Sequence, residues 1–286
     1  NNNSPVVGNP KANVYCWGSY DFMYEGLNSK SPLKLDAHTF IHETGHMLGL
    51  DDYYDYDETS RLNPAGCLDM MDYNIGDHNA YSKFLLGWVE PQVFNFESGS
   101  YELKPFESSG DCLLVSTSSL NNISPLEEYL LIEFYTPTGL NSFDATYNYS
   151  EKYPLMFTQK GVKIYHIDAR LGEFIRSPHG LWLYGRYIRN YSMDDIRNET
   201  DLKSVYYDIF ASNTSSRSYK ENYKILNLIS SNSPNQDYYY NRTYAKNKDL
   251  FVRDSVIKDY EFNDGNILNF ELVVSNIDTT ATIFFE

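Results

Sequence analysis

The chain has 286 residues, 39 acidic and 23 basic, for a net charge of −16. So acidic a balance argues against nucleic acid or anionic membranes as partners, and it leaves carboxylates to spare for cations. No run of about 18 apolar residues occurs, so no transmembrane helix is expected.

Residues 1–13 are polar and rich in Asn and Pro, a mobile lead-in by composition. The aromatic stretch 13–24 could hold a short strand or edge segment, and 28–35 is a loop. Asp36 is a plausible N-cap, and 37–48 then reads as a helix. Gly49 falls where a helix commonly ends in the left-handed conformation that glycine adopts without penalty. An acidic, tyrosine-rich loop at 51–58 leads to the turn Asn63-Pro64-Ala65-Gly66 and a second loop, 67–77, with Met70 and Met71. Helical spacing of Tyr81, Phe84, Leu85 and Trp88 predicts a helix over 79–89, stopped before Pro91.

After Pro91 the texture becomes β-type. Short runs between turn signals predict strands at 101–106, 112–117, 129–135, 162–167, 181–188, 204–210, 267–274 and 280–286. The span 189–253 is polar and reads as a long insertion. The expected organisation is an α+β module over 1–92 followed by an all-β sandwich-like domain over 93–286. The three cysteines, Cys16, Cys67 and Cys112, lack the spacing of a sulfur-based metal site, and Cys112 has no base beside it.

The chemistry concentrates in HETGHMLGLDD, residues 42–52. Two histidines four apart on a helix point the same way, so His42 and His46 can grip one metal ion. Glu43 between them is the residue type that hydrolytic zinc sites use as general base. A catalytic zinc keeps three protein ligands and one open position. The third ligand is expected once Gly49 turns the chain back. The tenth residue after His42 is Asp52, whose carboxylate is a legitimate ligand, with Asp51 next door as its competitor.

At these residues the chain resembles the metzincin clan of zinc peptidases, and within it the immune inhibitor A-type family of secreted bacterial metallopeptidases. That family carries HExxHxxGLxD followed by a tyrosine and an aspartate; this chain reads HETGHMLGLDDYYD from His42 to Asp55. The segments GDHNAYSKFLLGWVEP (76–91), EEYLLIEFY (127–135) and GVKIYHID (161–168) resemble later parts of the same family. The resemblance implies a Zn²⁺-dependent endopeptidase, secreted or at the cell surface, that acts on protein or peptide substrates. It implies a methionine turn beneath the metal, with Met71 the better match and Met70 the alternative. It also implies a role for Tyr73, two residues after Met71, in stabilising the oxyanion. Substrate in such enzymes lies extended along the edge strand of a sheet that precedes the zinc helix. That sheet and its helix take on the order of 100 residues, whereas 41 precede His42 here. Those elements are therefore expected to be contracted or truncated at the N-terminus. No initiator Met or signal peptide is visible, so the chain reads as a processed or trimmed product.

Other candidates compete with simpler readings. Asp51, Asp52, Asp55, Asp57, Glu58, Asp69, Asp72 and Asp77 could build a Ca²⁺ site or merely a solvated acidic loop; their spacing is not that of an EF-hand. His78 could contact substrate or simply pack. His166 and Asp168 share a strand face and read as a structural pair. A monomer is expected. The competing functional reading is a surface binding or adhesion protein that keeps a peptidase-like fold without activity.

Overall fold

A computed structural model describes residues 15–31, 33–57, 63–117, 124–149, 153–176, 182–187, 205–214, 223–233 and 244–286. The lead-in at 1–13, Glu58 and most of the span 189–253 lie outside them. The fold is mixed α/β, mostly sheet with few and short helices.

The first element, Tyr20–Tyr24, is a 3₁₀ turn rather than a strand. The Ser19 hydroxyl accepts the Asp21 N–H, and the Tyr20 and Tyr24 rings meet edge-on at 5.4 Å, one turn apart. Helix α1 (His38–Met47) follows. Its N-cap is Ala37, so the helix starts one residue later than the sequence suggests. Asp36 nevertheless accepts the His38 N–H at 2.9 Å through Oδ1. Its Oδ2 takes the Gly26 N–H at 2.8 Å and the Tyr149 hydroxyl at 2.7 Å. These bonds pull Asp36 off the capping position and pin the start of α1 to the rest of the fold. Gly49, at φ +100°, ends the helix as expected.

Helix α2 (Ala80–Leu85) is capped by Asn79, whose side chain accepts the Ser82 N–H at 2.9 Å. It stops earlier than predicted because Gly87 turns left-handed at φ 70°. Beyond it lie β1 (Gln92–Val93), β2 (Gly99–Leu103), α3 (Phe106–Ser109), β3 (Cys112–Val115), β4 (Glu128–Tyr135), α4 (Ser142–Thr146), β5 (Gly161–Asp168) and β6 (Leu171–Arg176). Then come β7 (Trp182–Tyr187), β8 (Val205–Ile209), β9 (Leu226–Ile229), β10 (Val256–Ile257), β11 (Leu272–Ile277) and β12 (Ala281–Phe285).

Among the described residues three sheets result, ordered β1-β3-β4-β5-β9, β10-β11-β12-β2 and β7-β6-β8. Every pairing is antiparallel except β1 with β3. The five-stranded sheet is buried on both faces, and the two-residue period of a strand sorts its side chains between two cores. Leu113, Val115, Leu130, Ile132, Phe134, Val162 and Ile164 face the four-stranded sheet, where they meet Leu103, Leu272, Val274, Ile283 and Phe285. This is the packing of a sandwich. On the opposite face Leu114, Tyr129, Leu131, Tyr165, Ile167 and Leu228 pack with Leu50, Tyr53, Met71, Tyr81 and Phe84. Each such side chain contributes about 1.5–3 kcal/mol on full burial. The loops around α1 and α2 are therefore built onto one wall of the sheet. Glu133 ties them together: its Oε2 accepts the Ala80 N–H at 2.8 Å while its other oxygen pairs with buried Lys163.

Candidate metal centre

Helix α1 presents His42 and His46 on one stripe, their rings 4.8 Å apart. After Gly49 the chain turns back and brings Asp52 against them. His42 Nε2 lies 3.1 Å from Asp52 Oδ1, His46 Nε2 lies 3.3 Å from the same oxygen, and the two Nε2 atoms are 3.1 Å apart. Asp52 is buried, whereas the His46 side chain is 32% exposed and opens one corner of the triangle to solvent. Among the described residues these three form the one group of three or more His, Cys, Asp or Glu whose ligand atoms converge closely enough to hold a metal ion. Asp51 stands outside the group.

Backbone carbonyls orient both rings. His42 Nδ1 donates to Met70 O at 2.8 Å, and His46 Nδ1 donates to Leu50 O at 2.9 Å. With Nδ1 carrying the proton, each neutral ring turns a lone pair on Nε2 toward the carboxylate. Three electron-rich atoms then face one another, an arrangement that requires positive charge between them. In the metal-free protein protons supply it. The hydrogen bond to Asp52 raises His46 to about 9 against the effect of burial. For His42, burial is outweighed by Asp52 and the Met70 carbonyl, so its pKa is also raised. Burial pushes Asp52 up, but the hydrogen bonds from His42, His46 and Tyr56 prevail and hold it well below the carboxylate range. A divalent cation offers the same compensation and must displace those protons to bind.

The methionine loop supports the helix from below. Met71 is fully buried. A Cβ on Gly45 would lie 2.5 Å from its sulfur, so the glycine in HETGH is what lets α1 settle on Met71. Both methionines thus take part, Met70 through its carbonyl and Met71 through its side chain. Asp69 holds the loop in shape: Oδ1 accepts the Met71 N–H at 2.8 Å, and Oδ2 accepts two bonds from Asn79 at 2.8 and 2.7 Å. The Tyr53 N–H donates to Met71 O at 2.9 Å and closes the connection to the Asp52 segment.

Glu43 is half-buried on α1, near enough to His46 for its charge to raise that histidine further. Tyr73 stands in a tyrosine stack, 5.0 Å from Tyr54 and 5.4 Å from Tyr153 between ring centroids. Tyr54 in turn lies close to Asp52, although burial is the main cause of its raised pKa. His78 falls elsewhere. It lines an apolar pocket of about 260 Å³ with Phe40, Ile41, Thr44, Leu48 and Trp88, on another side of α1 from the ligand stripe.

The carboxylates considered for calcium do not converge among the described residues. Asp69 is committed to the loop, Asp72 accepts the Cys67 N–H at 2.9 Å, Asp77 pairs with Lys83, and Asp55 accepts the Asp57 N–H at 2.9 Å. His166 and Asp168 belong to a closed structural network. His166 bonds Glu128 at 2.9 Å and the Tyr260 hydroxyl at 3.0 Å, while Arg170 grips Asp168 with two bonds of 2.6 Å. Burial pushes the Cys112 thiol up to about 12, which removes it as a nucleophile at neutral pH.

Gly45, Tyr56 and the carbonyls of Met70 and Leu50 are the contributors that motif reading misses. Only Gly45 leaves a sequence signal, a glycine in a helix interior where it costs about 1 kcal/mol relative to alanine. No protein-family model, curated protein or solved structure matches the chain.

Proposed function

We propose that this protein is a zinc-dependent endopeptidase in which His42, His46 and Asp52 hold the metal and Glu43 moves the proton. The observation that carries the reading is the triangle of His42 Nε2, His46 Nε2 and Asp52 Oδ1, with sides of 3.1 to 3.3 Å. Ligand atoms bound tetrahedrally to zinc at about 2.0–2.1 Å lie roughly 3.3 Å from one another, so the donor set fits in size as well as in chemistry. Two imidazoles and one carboxylate are a catalytic rather than a structural set, because they leave a fourth position open.

When bound, zinc would polarise the scissile carbonyl and lower the pKa of a water to about 7. Glu43 accepts the proton of the attacking water and returns it to the leaving amine nitrogen. The Met70 and Leu50 carbonyls keep both imidazoles in the ligating tautomer. Tyr73 is proposed to stabilise the oxyanion. The substrate would be protein or peptide, and the setting secreted or at the cell surface. No helix among the described residues is long and apolar enough to cross a membrane.

The test is zinc content together with proteolysis. The purified chain is expected to bind about one zinc ion per site and to cleave casein in a way that chelation abolishes and zinc restores. A protein that takes up zinc without cleaving any protein substrate would instead favour the binding or adhesion reading.

A further inference from the structure

Asp52 has two carboxylate oxygens with different neighbours. Oδ1 faces His42 and His46, whereas Oδ2 accepts a hydrogen bond from the Tyr56 hydroxyl. Asp52 is 5% exposed, while Tyr56 is 52% exposed and reaches the buried carboxylate from the outer side of the acidic loop. A carboxylate with one oxygen engaged by a phenol has that oxygen's charge occupied and its rotation restricted. A carboxylate with both oxygens free can swing to offer two to a cation.

We infer that Tyr56 is a positioning residue that holds Asp52 in one-oxygen coordination and so keeps the fourth position of the metal open to water. The inference rests on the metal-site reading above. It assigns a role to a residue in DDYYDYDE that an acidic-loop reading treats as solvent-facing. A partner that orients a metal ligand through a hydrogen bond typically contributes 10–100-fold to metal affinity or activity. Tyr56 is not one of the three converging side chains; it acts through Asp52.

The experiment compares the parent chain with Tyr56→Phe, which deletes the hydroxyl and keeps the ring. Each is loaded with zinc for affinity against a competing chelator, and with cobalt(II) for coordination number. Four-coordinate cobalt absorbs strongly in the visible and five-coordinate cobalt weakly. The variant is expected to lose 10–100-fold in zinc affinity or kcat and to show a weaker, shifted cobalt band. Thermal unfolding of the two metal-free proteins separates this from a general loss of structure. If the variant matches the parent in zinc affinity, kcat and cobalt spectrum, the role of Tyr56 is wrong while the site stands. If the parent itself binds neither zinc nor cobalt, the metal-site reading falls, and this inference with it.

Discussion

The histidine–carboxylate clusters around Glu128 and around Asp52 differ in what they leave unpaired. Around Glu128 the groups complete one another: His166 and Arg170 supply donors, Asp168 takes the rest of the guanidinium, and Asn263 adds bonds to Glu128 and Asp168. Around Asp52 both Nδ1 protons are spent on carbonyls, and three acceptors are left facing one another. The residue types are nearly the same. What separates scaffold from candidate site is where the protons point, and backbone carbonyls decide that.

Substitutions can break this comparison. The largest effect is expected from Glu43→Ala, which should lower kcat for casein cleavage by about 10²–10⁴-fold or more while zinc stoichiometry is kept; parental proteolysis by this variant would sink the mechanism. Glu128→Ala should do the reverse. It removes one partner each from His166 and Arg170, which keep Tyr260 and Asp168, with an expected loss of about 1–3 kcal/mol in denaturant unfolding and no change in zinc stoichiometry. Metal loss in a still-folded Glu128→Ala protein would show that the two clusters are not separable.

Gly45→Ala tests the support beneath the histidines. Overpacking against Met71 costs about 1–3 kcal/mol, and the better helix propensity of alanine returns about 1 kcal/mol. A net destabilisation of up to about 2 kcal/mol is expected, with weaker zinc binding because α1 must lift. Stabilisation would mean that the Met71 contact yields freely.

The smallest effect is one of pH. In the metal-free protein Asp52 raises His46 from 6.5 to about 9. The stability this pair contributes is fully present below 6.5 and is lost as pH rises through about 9. Thermal unfolding of metal-free protein should therefore weaken across that window. Saturating zinc should remove the trend, because a ligated Nε2 carries no proton. Zinc affinity itself should rise with pH over the same range.

The sequence makes the candidate ligands His42 and His46 legible because helical spacing is a local rule: positions four apart share a face whatever the rest of the chain does. Asp52 is legible for a different reason: Gly49 ends the helix and turns the chain back, and Asp52 stands tenth after His42, where the zinc-peptidase pattern expects a third ligand. The alternation in 162–167 was equally clear, and β5 covers it. Less was legible where tertiary bonds overrule local preference. Asp36 gives up the capping position to Gly26 and Tyr149, far away in sequence. The stretch 13–24 shows strand-like aromatics, yet Tyr20 and Tyr24 pair as neighbours on a turn. Tyr56 gave no signal at all, since nothing local distinguishes a tyrosine that donates to a buried carboxylate from one that faces water.

Strand β4 has a consequence of its own. Its residues are allotted by parity: Leu130, Ile132 and Phe134 to the core between the two larger sheets, Tyr129, Leu131 and Tyr135 to the core beneath the histidines. Neighbours one peptide bond apart thus live on opposite sides of a party wall. A slip of β4 by a single residue would swap the tenants of both rooms at once. Neither core can therefore be repaired by adjusting the other, and an insertion within β4 should be tolerated by neither.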